Sequence, residues 1–304
     1  MRTLAALALT AWAPAALATE LPVKLEDGAT WTVTVSRERE RTRSSQPPQA
    51  SRLVTAMRLT WAAKGDDGGQ LTATTVSAEA GPLAAPEDVM AALGQARPVV
   101  MDVDAALTPE RIRNWSEVRG DLDAAVAKLT SDPKVAATAK GLFAGLSDAQ
   151  AAQVVMRDLG MVAISQGTAL DLGKPFDYED NLPNPLGGPP IKSKGRFQLI
   201  SLDPGRAVIE WRQAFDPVSA AASLTMALEA LMQQASPEQA PRVRDVFEGA
   251  RVDRSDSCRH EIDVPTGLAV RITCSSTIEV TAQGETGRNV DRWTITQTLP
   301  RTSP

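Results

Sequence analysis

The side chains able to do chemistry are few, and their spacing narrows the choice. The chain has one histidine, His260, one tyrosine and two cysteines. A nucleophile and a carboxylate would have to converge on His260, and no G-x-S-x-G elbow accompanies it. His260 shares strand parity with Ile262 and Cys258, which assigns it to the interior or rim of a sheet as a packed residue. The same inventory excludes a zinc centre of His and Cys ligands, a c-type haem and an iron–sulfur cluster. Neither a G-x-G-x-x-G nor a G-x-x-x-x-G-K-[ST] run occurs, so nucleotide binding lacks its usual signature. Asp177, Glu179 and Asp180 cluster around Tyr178, near Asp171. Loop carboxylates can hold calcium, but the EF-hand spacing is missing, and a solvated acidic loop is the simpler reading. No metal or cofactor is expected, and an enzyme is the last of the expected function classes.

The most specific polar feature is Arg37, Arg39, Arg41 and Arg43, with Glu38 and Glu40 between them. In an extended strand the four arginines share the face of Trp31, Val33 and Val35. An apolar face that becomes an arginine row suits a pocket for an acidic amphiphile. The tail would lie on the apolar section, and the guanidinium forks would meet phosphate or carboxylate. The blander origin of such a row is a strand that runs past its sheet into solvent with paired surface charges. The candidate ligand-binding residues are therefore Arg37, Arg39, Arg41, Arg43, Trp31 and Trp61. Met90, Met156, Met161, Met226 and Met232 fall on expected helices, where methionine serves core filling or a deformable apolar surface. A net charge of −5 at pH 7 argues against a nucleic-acid partner.

Both ends of the chain bear on compartment. Met1-Arg2 is followed by an apolar run to Leu17 that closes on Ala16-Leu17-Ala18. That is the pattern of a secretory signal peptide over residues 1–18, too short to span a bilayer. No cysteine follows the expected cleavage site directly, so no lipid anchor is expected. Arginine far outnumbers lysine and alanine is abundant, the bias of a GC-rich bacterial gene. A periplasmic or secreted location follows. Cys258 and Cys274 flank Asp263-Val264-Pro265-Thr266-Gly267. A hairpin centred on Thr266 pairs 258 with 274, 260 with 272 and 262 with 270. It puts both cysteines on the apolar face, where an oxidising compartment makes them a disulfide worth about 3 kcal/mol.

The elements that position these residues come in runs. Two strands lie within 29–63, joined by Ser44-Ser45-Gln46-Pro47-Pro48; further strands cover 70–79 and 98–104. Helices are expected from Asn114, where Asn114-x-x-Glu117 resembles a capping box, from Asp132-Pro133, and from Ser147 or Asp148. Residues 173–190, dense in Pro and Gly, read as a loop. A hairpin turns at Asp203-Pro204-Gly205, helices restart at Asp216-Pro217 and Ser236-Pro237, and the disulfide hairpin precedes a last strand with Trp293 and Ile295. Strands, then helices, then strands predict an α+β fold. The expected architecture is one curved antiparallel sheet, like an incomplete β-barrel, in a single domain over 19–304. Helical insertions at about 115–166 and 217–249 cover one face. With 43% hydrophobic, 23% charged and 4% aromatic residues, a disordered tail, a collagen-like fibre and a polytopic membrane protein are excluded.

Three stretches carry a resemblance. Asn114-Trp115-Ser116-Glu117-Val118-Arg119 follows an edge turn, Leu182-Pro183-Asn184-Pro185 forms a loop, and Asp263-Val264-Pro265-Thr266-Gly267-Leu268 precedes a long strand. Together they resemble β-rich periplasmic proteins of Gram-negative bacteria. In outline the chain is also similar to the lipoprotein-localisation carriers, whose incomplete β-barrel is closed by helices around an acyl chain. This chain is longer than those carriers, and the resemblance implies a fold rather than a site. The leading expectation is a non-enzymatic periplasmic binding or carrier protein for an apolar or amphiphilic ligand such as a lipid. The alternatives are an envelope protein–protein interaction module with no small ligand and, third, a hydrolase-type enzyme. No transmembrane segment is expected after residue 18.

Overall fold

Threonine–hydrophobe alternation is the pattern that builds the long strands. In β2 (Thr30–Arg43), Trp31, Val33 and Val35 are buried while the intervening threonines are only half-buried. A computed structural model describes residues 18–300 apart from 45, 66–67, 82–96, 130–132, 183, 185–187, 236–242, 244, 246 and 248. The body of the expected signal peptide, Met90, Asp132 and most of the expected helix after Ser236-Pro237 lie outside the described residues.

Around β2 the described strands are β3 (Gln46–Ala63), β4 (Gly68–Ala80), β5 (Val99–Asp104) and β6 (Pro109–Ile112), then β8 (Pro175–Leu182), β9 (Ile191–Asp203) and β10 (Arg206–Phe215), and finally β11 (Arg251–Asp263), β12 (Leu268–Ala282) and β13 (Glu285–Gln297). They form one open antiparallel sheet in the order β6-β5-β4-β3-β2-β13-β12-β11-β10-β9-β8. The first long strand thus lies beside the last, β2 against β13. A separate pair joins β1 (Thr19–Glu20) to β7 (Ala169–Leu170).

Helices cover one face. Among the described residues the first four are α1 (Trp115–Leu129), α2 (Pro133–Ala144), α3 (Asp148–Val155) and α4 (Arg157–Ala163). Trp115, Val118 and Leu122 of α1, Ala151 and Ala152 of α3, and Leu159 and Val162 of α4 share one core with Trp31, Val33, Leu59, Met101, Ile272 and Ile295. Each of the larger aliphatic side chains among them contributes roughly 1.5–3 kcal/mol through removal from water. A fifth helix, α5 (Pro217–Ala235), lies over β11 and β9 further along the same face. There it forms a small second cluster, with Ala220, Ala221 and Val252 buried and Ile191, Phe215, Leu224, Ile278 and Val280 partly so.

Several local expectations are corrected. The Asn114 side chain does not cap α1: its Oδ1 accepts from Val100 N at 3.0 Å and its Nδ2 donates to Pro98 O at 2.9 Å, tying the helix to β5. The capping box stands instead at Ser147 and Gln150. The single helix expected from Ser147 breaks at Met156, where φ −103 and ψ 26 leave the helical range. Residues 175–182 are not loop but the edge strand β8. Most of its residues are exposed, so it shows no burial alternation for a sequence reading to find. In the disulfide hairpin, Cys258 faces Cys274 and His260 faces Ile272, but a register shift after Glu261 sets Ile262 opposite Ala269 rather than 270. The shift lets both Leu268 and Ala269 turn inward, each 0% exposed. Gly267 closes that turn at φ +69, and a Cβ there would overlap the Pro22 carbonyl.

Candidate functional site

The arginine row is held inside the sheet. β2 remains paired with both neighbours to Arg43, so no part of the row projects past the sheet. Arg37 lies between Leu53 and Trp293, Arg39 between Ser51 and Asp291, and Arg41 between Gln49 and Asn289. Arg37, Arg39 and Arg41 are half-buried, and Arg43, beside Gln46 and Gly287, is exposed. The Asp291 carboxylate accepts from Arg39 Nε at 2.7 Å and from Arg37 Nη2 at 3.2 Å.

Register extends this pair into a polar belt across the covered face. Asp291 is opposite Ser276, Ser276 opposite Asp256, and Asp256 opposite Gln213. Asp256 is held by Arg254 at 3.0 Å. Gln213 Nε2 donates to Ser193 Oγ at 3.2 Å and to Tyr178 Oη at 3.3 Å, and Trp211 Nε1 donates to the same phenol at 2.7 Å. Burial raises the Tyr178 pKa, against the pull of those hydrogen bonds, so the phenol stays neutral. A parallel belt one pleat nearer the core reads Trp293, Cys274, Cys258, Trp211 and Phe197. At its centre is the Cys258–Cys274 disulfide, with a Cα separation of 4.1 Å.

A further arginine packs onto the belt from the helical layer. Arg157 opens α4, and its Cζ lies 5.0 Å from the Trp293 ring centroid; Arg37 Cζ lies 5.2 Å from the same ring. Both distances suit cation–π attraction. Burial lowers the Arg157 pKa, and the Arg254 charge adds to it, while Asp158, Asp256 and Asp291 oppose. A guanidinium nonetheless stays charged. Among the described residues Arg157 makes no hydrogen bond or ion pair, and the buried Trp293 Nε1 and Ser276 Oγ have no hydrogen-bond partner. On the far side of the belt is the cluster under α5. Arg254 is opposite Ile278, and its Cζ sits 4.5 Å from the Phe215 ring centroid. The cationic belt therefore separates two apolar bodies, one tightly filled and one only partly buried.

The other expected binding residues lie elsewhere. Trp31 is buried and donates from Nε1 to Gln297 Oε1 at 2.8 Å, and Trp61 is buried in the same core. Trp31 is six residues from Arg37 along the strand, about 20 Å, so the apolar section of the row is occupied by the protein's own side chains. Arg157, Asp291 and Ser276 were absent from the sequence reading. Asp291 and Ser276 could have been found by extending the parity of Trp293 and Cys274; Arg157 carries no local signal. His260 is fully buried, with Nε2 3.1 Å from Met161 O. The acidic group on β8 is engaged by cations, Asp177 with Arg196 at 2.6 Å and Glu179 with Lys194 at 2.7 Å. No metal-competent group of three His, Cys, Asp or Glu occurs among the described residues. On the opposite face a concavity of about 460 Å³ is lined by Arg212, Ser255, Ser257 and Ser275, but Arg212 is paired with Glu210.

No protein-family model and no curated protein matches the chain. Among solved structures it is similar to lipovitellin, in a structure of lipid–protein interactions, with a TM-score of 0.47 and 11% identity over 92% of this chain and 26% of that one. The chain thus spans about a quarter of the lipovitellin chain. It is also similar to an outer membrane channel from Pseudomonas putida F1, with a TM-score of 0.26 and 8% identity over 91% of this chain and 97% of that one. The third is Ail, the attachment invasion locus protein of Yersinia pestis, with a TM-score of 0.17 and 3% identity over 90% of this chain and all of that one. These values fall short of a shared fold.

Proposed function

We propose that the protein is a non-catalytic binding or carrier protein for an acidic amphiphile such as a lipid, acting outside the cytoplasm. The observation that carries this reading is the contact between the arginine belt and the partly buried apolar cluster under α5. Arg254 stands at their junction, beside Ile278 and over Phe215. An acidic head group would meet guanidinium forks, and a hydrocarbon tail would extend among Ile278, Val280 and Leu224, which are incompletely buried without it. The tail compartment in this reading is the α5 cluster rather than the face of Trp31 and Trp61. The disulfide supports an oxidising compartment. The experiment is incubation of the purified protein with phosphatidylglycerol vesicles, re-isolation and native mass spectrometry. One added lipid mass per chain is expected. A mass equal to the bare polypeptide after incubation would overturn the reading.

A further inference from the structure

Resting on that reading, we propose that the head-group site is a phosphate-ester site built on Arg157, Trp293 and Ser276. Three observations converge on it. The buried Arg157 guanidinium is lodged against the covered face of the sheet, 5.0 Å from the Trp293 ring centroid and within electrostatic reach of Asp256 and Asp291, yet among the described residues it makes no hydrogen bond or ion pair. Trp293 is 2% exposed and its Nε1 has no acceptor; Ser276 is 4% exposed and its Oγ has no partner. A buried donor without an acceptor is costly and calls for a reason. Here two occur on adjacent strands. Trp293 is opposite Cys274, two residues from Ser276, which makes the pair diagonal neighbours on one face.

The nearby carboxylates do not meet this need. Asp291 is engaged by Arg37 and Arg39, and Asp256 by Arg254. The site therefore offers donors from α4, β12 and β13. Such donors favour an acceptor-only anion. Because they come from three separate elements, they suit the spread oxygens of a tetrahedral phosphate better than the two coplanar oxygens of a carboxylate. Entry is from the α5 side, where Arg254 is 28% exposed against 18% for Arg37. A phosphate in this position would place its ester substituent toward Ile278 and Val280, the compartment assigned to the tail.

The test uses n-decyl phosphate, n-decanoate and n-decanol, which share one tail, together with inorganic phosphate. Binding to the purified protein is measured by calorimetry. Decyl phosphate is expected to bind at least roughly tenfold tighter than decanoate or decanol, since hydrogen bonds to a charged group are the strong ones. Arg157→Met and Trp293→Phe should each weaken it by roughly tenfold; Arg58→Met, on the opposite face, should not. Trp293→Phe keeps an aromatic ring but removes the pyrrole ring together with its N–H, and Ser276→Ala removes only the hydroxyl, so the two together read the site even if Arg157→Met fails to fold. Equal binding of the three decyl compounds, or decyl phosphate binding unchanged in a folded variant, would overturn the phosphate site and leave the amphiphile reading standing. Inorganic phosphate binding as tightly as decyl phosphate would uphold the site and overturn the tail. Absence of all binding would overturn both.

Discussion

The His260 imidazole on β11 meets the carbonyl oxygen of Met161 on α4 at 3.1 Å, and it does so while fully buried. The bond requires a proton on Nε2, which leaves Nδ1 bare and without a partner. Burial pushes the pKa down from 6.5 to about 4, against the smaller opposing effect of the Met161 carbonyl. The folded pKa is below the unfolded one. The unfolded chain therefore takes up the proton first as pH falls, and stability is lost between about 6.5 and 4. The loss over that window is about 3 kcal/mol at full development. Urea denaturation at pH 7 and pH 4.5 should show a lower midpoint at the acid value. His260→Leu should flatten that difference; an unchanged slope in the variant would refute the assignment.

A second charged centre is structural. Asp102 on β5 is 8% exposed, and its carboxylate meets Arg111 at 2.5 Å, Arg113 at 2.6 Å and Lys64 at 3.3 Å. Burial pushes its pKa up, but the bonds from Arg113, Arg111 and Lys64 together outweigh burial and hold it well below the usual carboxylate range. Its contribution is present above pH 3.8 and disappears as the solution becomes more acid. Asp102→Asn leaves three cations facing one another across the β5–β6 edge. The cations are 41–56% exposed, so water relieves much of the repulsion, and the expected loss at pH 7 is about 2 kcal/mol. Chemical denaturation at pH 7 measures it directly. An unchanged stability would mean that the cluster is solvated.

The disulfide makes a separate prediction. Cys258 and Cys274 are cross-strand partners 16 residues apart, between the rows of Trp211 and Trp293. Closing a ring of that length restricts the unfolded chain by about 3 kcal/mol in the chain-entropy model. Replacing both residues by Ala should lower the thermal midpoint while leaving the strand register intact, because that register is also fixed by the long pairing of β11 with β12. Circular dichroism melts of the double variant and of reduced protein should agree. A drop in only one of them would point to a packing defect rather than a lost cross-link.

How much of this was legible in sequence depended on how local the signal was. Trp31, Val33 and Val35 announced β2 by alternation, and the same parity assigned the arginines to their face. The cysteines announced their hairpin by distance from Thr266. What failed was non-local or lacked contrast. The Arg39–Asp291 bond spans 252 residues and exists because β2 lies beside β13, an adjacency no local pattern encodes. Arg157 sits on a short helix whose apolar stripe revealed burial but not what a charge on its first turn would meet. β8 escaped because an edge strand exposed along most of its length leaves no alternation to read. The register shift after Glu261 escaped because Leu268, Ala269 and Val270 are all apolar, so the pattern does not show which of them stands opposite Ile262, and packing decides that Ala269 does.

Asp291 itself separates stability from binding. It carries the charge of both Arg37 and Arg39 and is 11% exposed at its side chain. Asp291→Asn keeps the volume and removes the negative charge, so the belt gains positive potential where the phosphate is proposed to sit. Stability should fall by about 1–2 kcal/mol, because two half-buried guanidinia lose a charged acceptor but retain access to water. Affinity for n-decyl phosphate should rise several-fold, and the gain should shrink as ionic strength increases. The measurement is a denaturation curve beside a calorimetric titration at low and high salt. If Asp291→Asn weakens decyl phosphate binding in a protein that still unfolds cooperatively, Asp291 orients the arginines toward the ligand rather than competing with it. The electrostatic account of the belt would then be wrong.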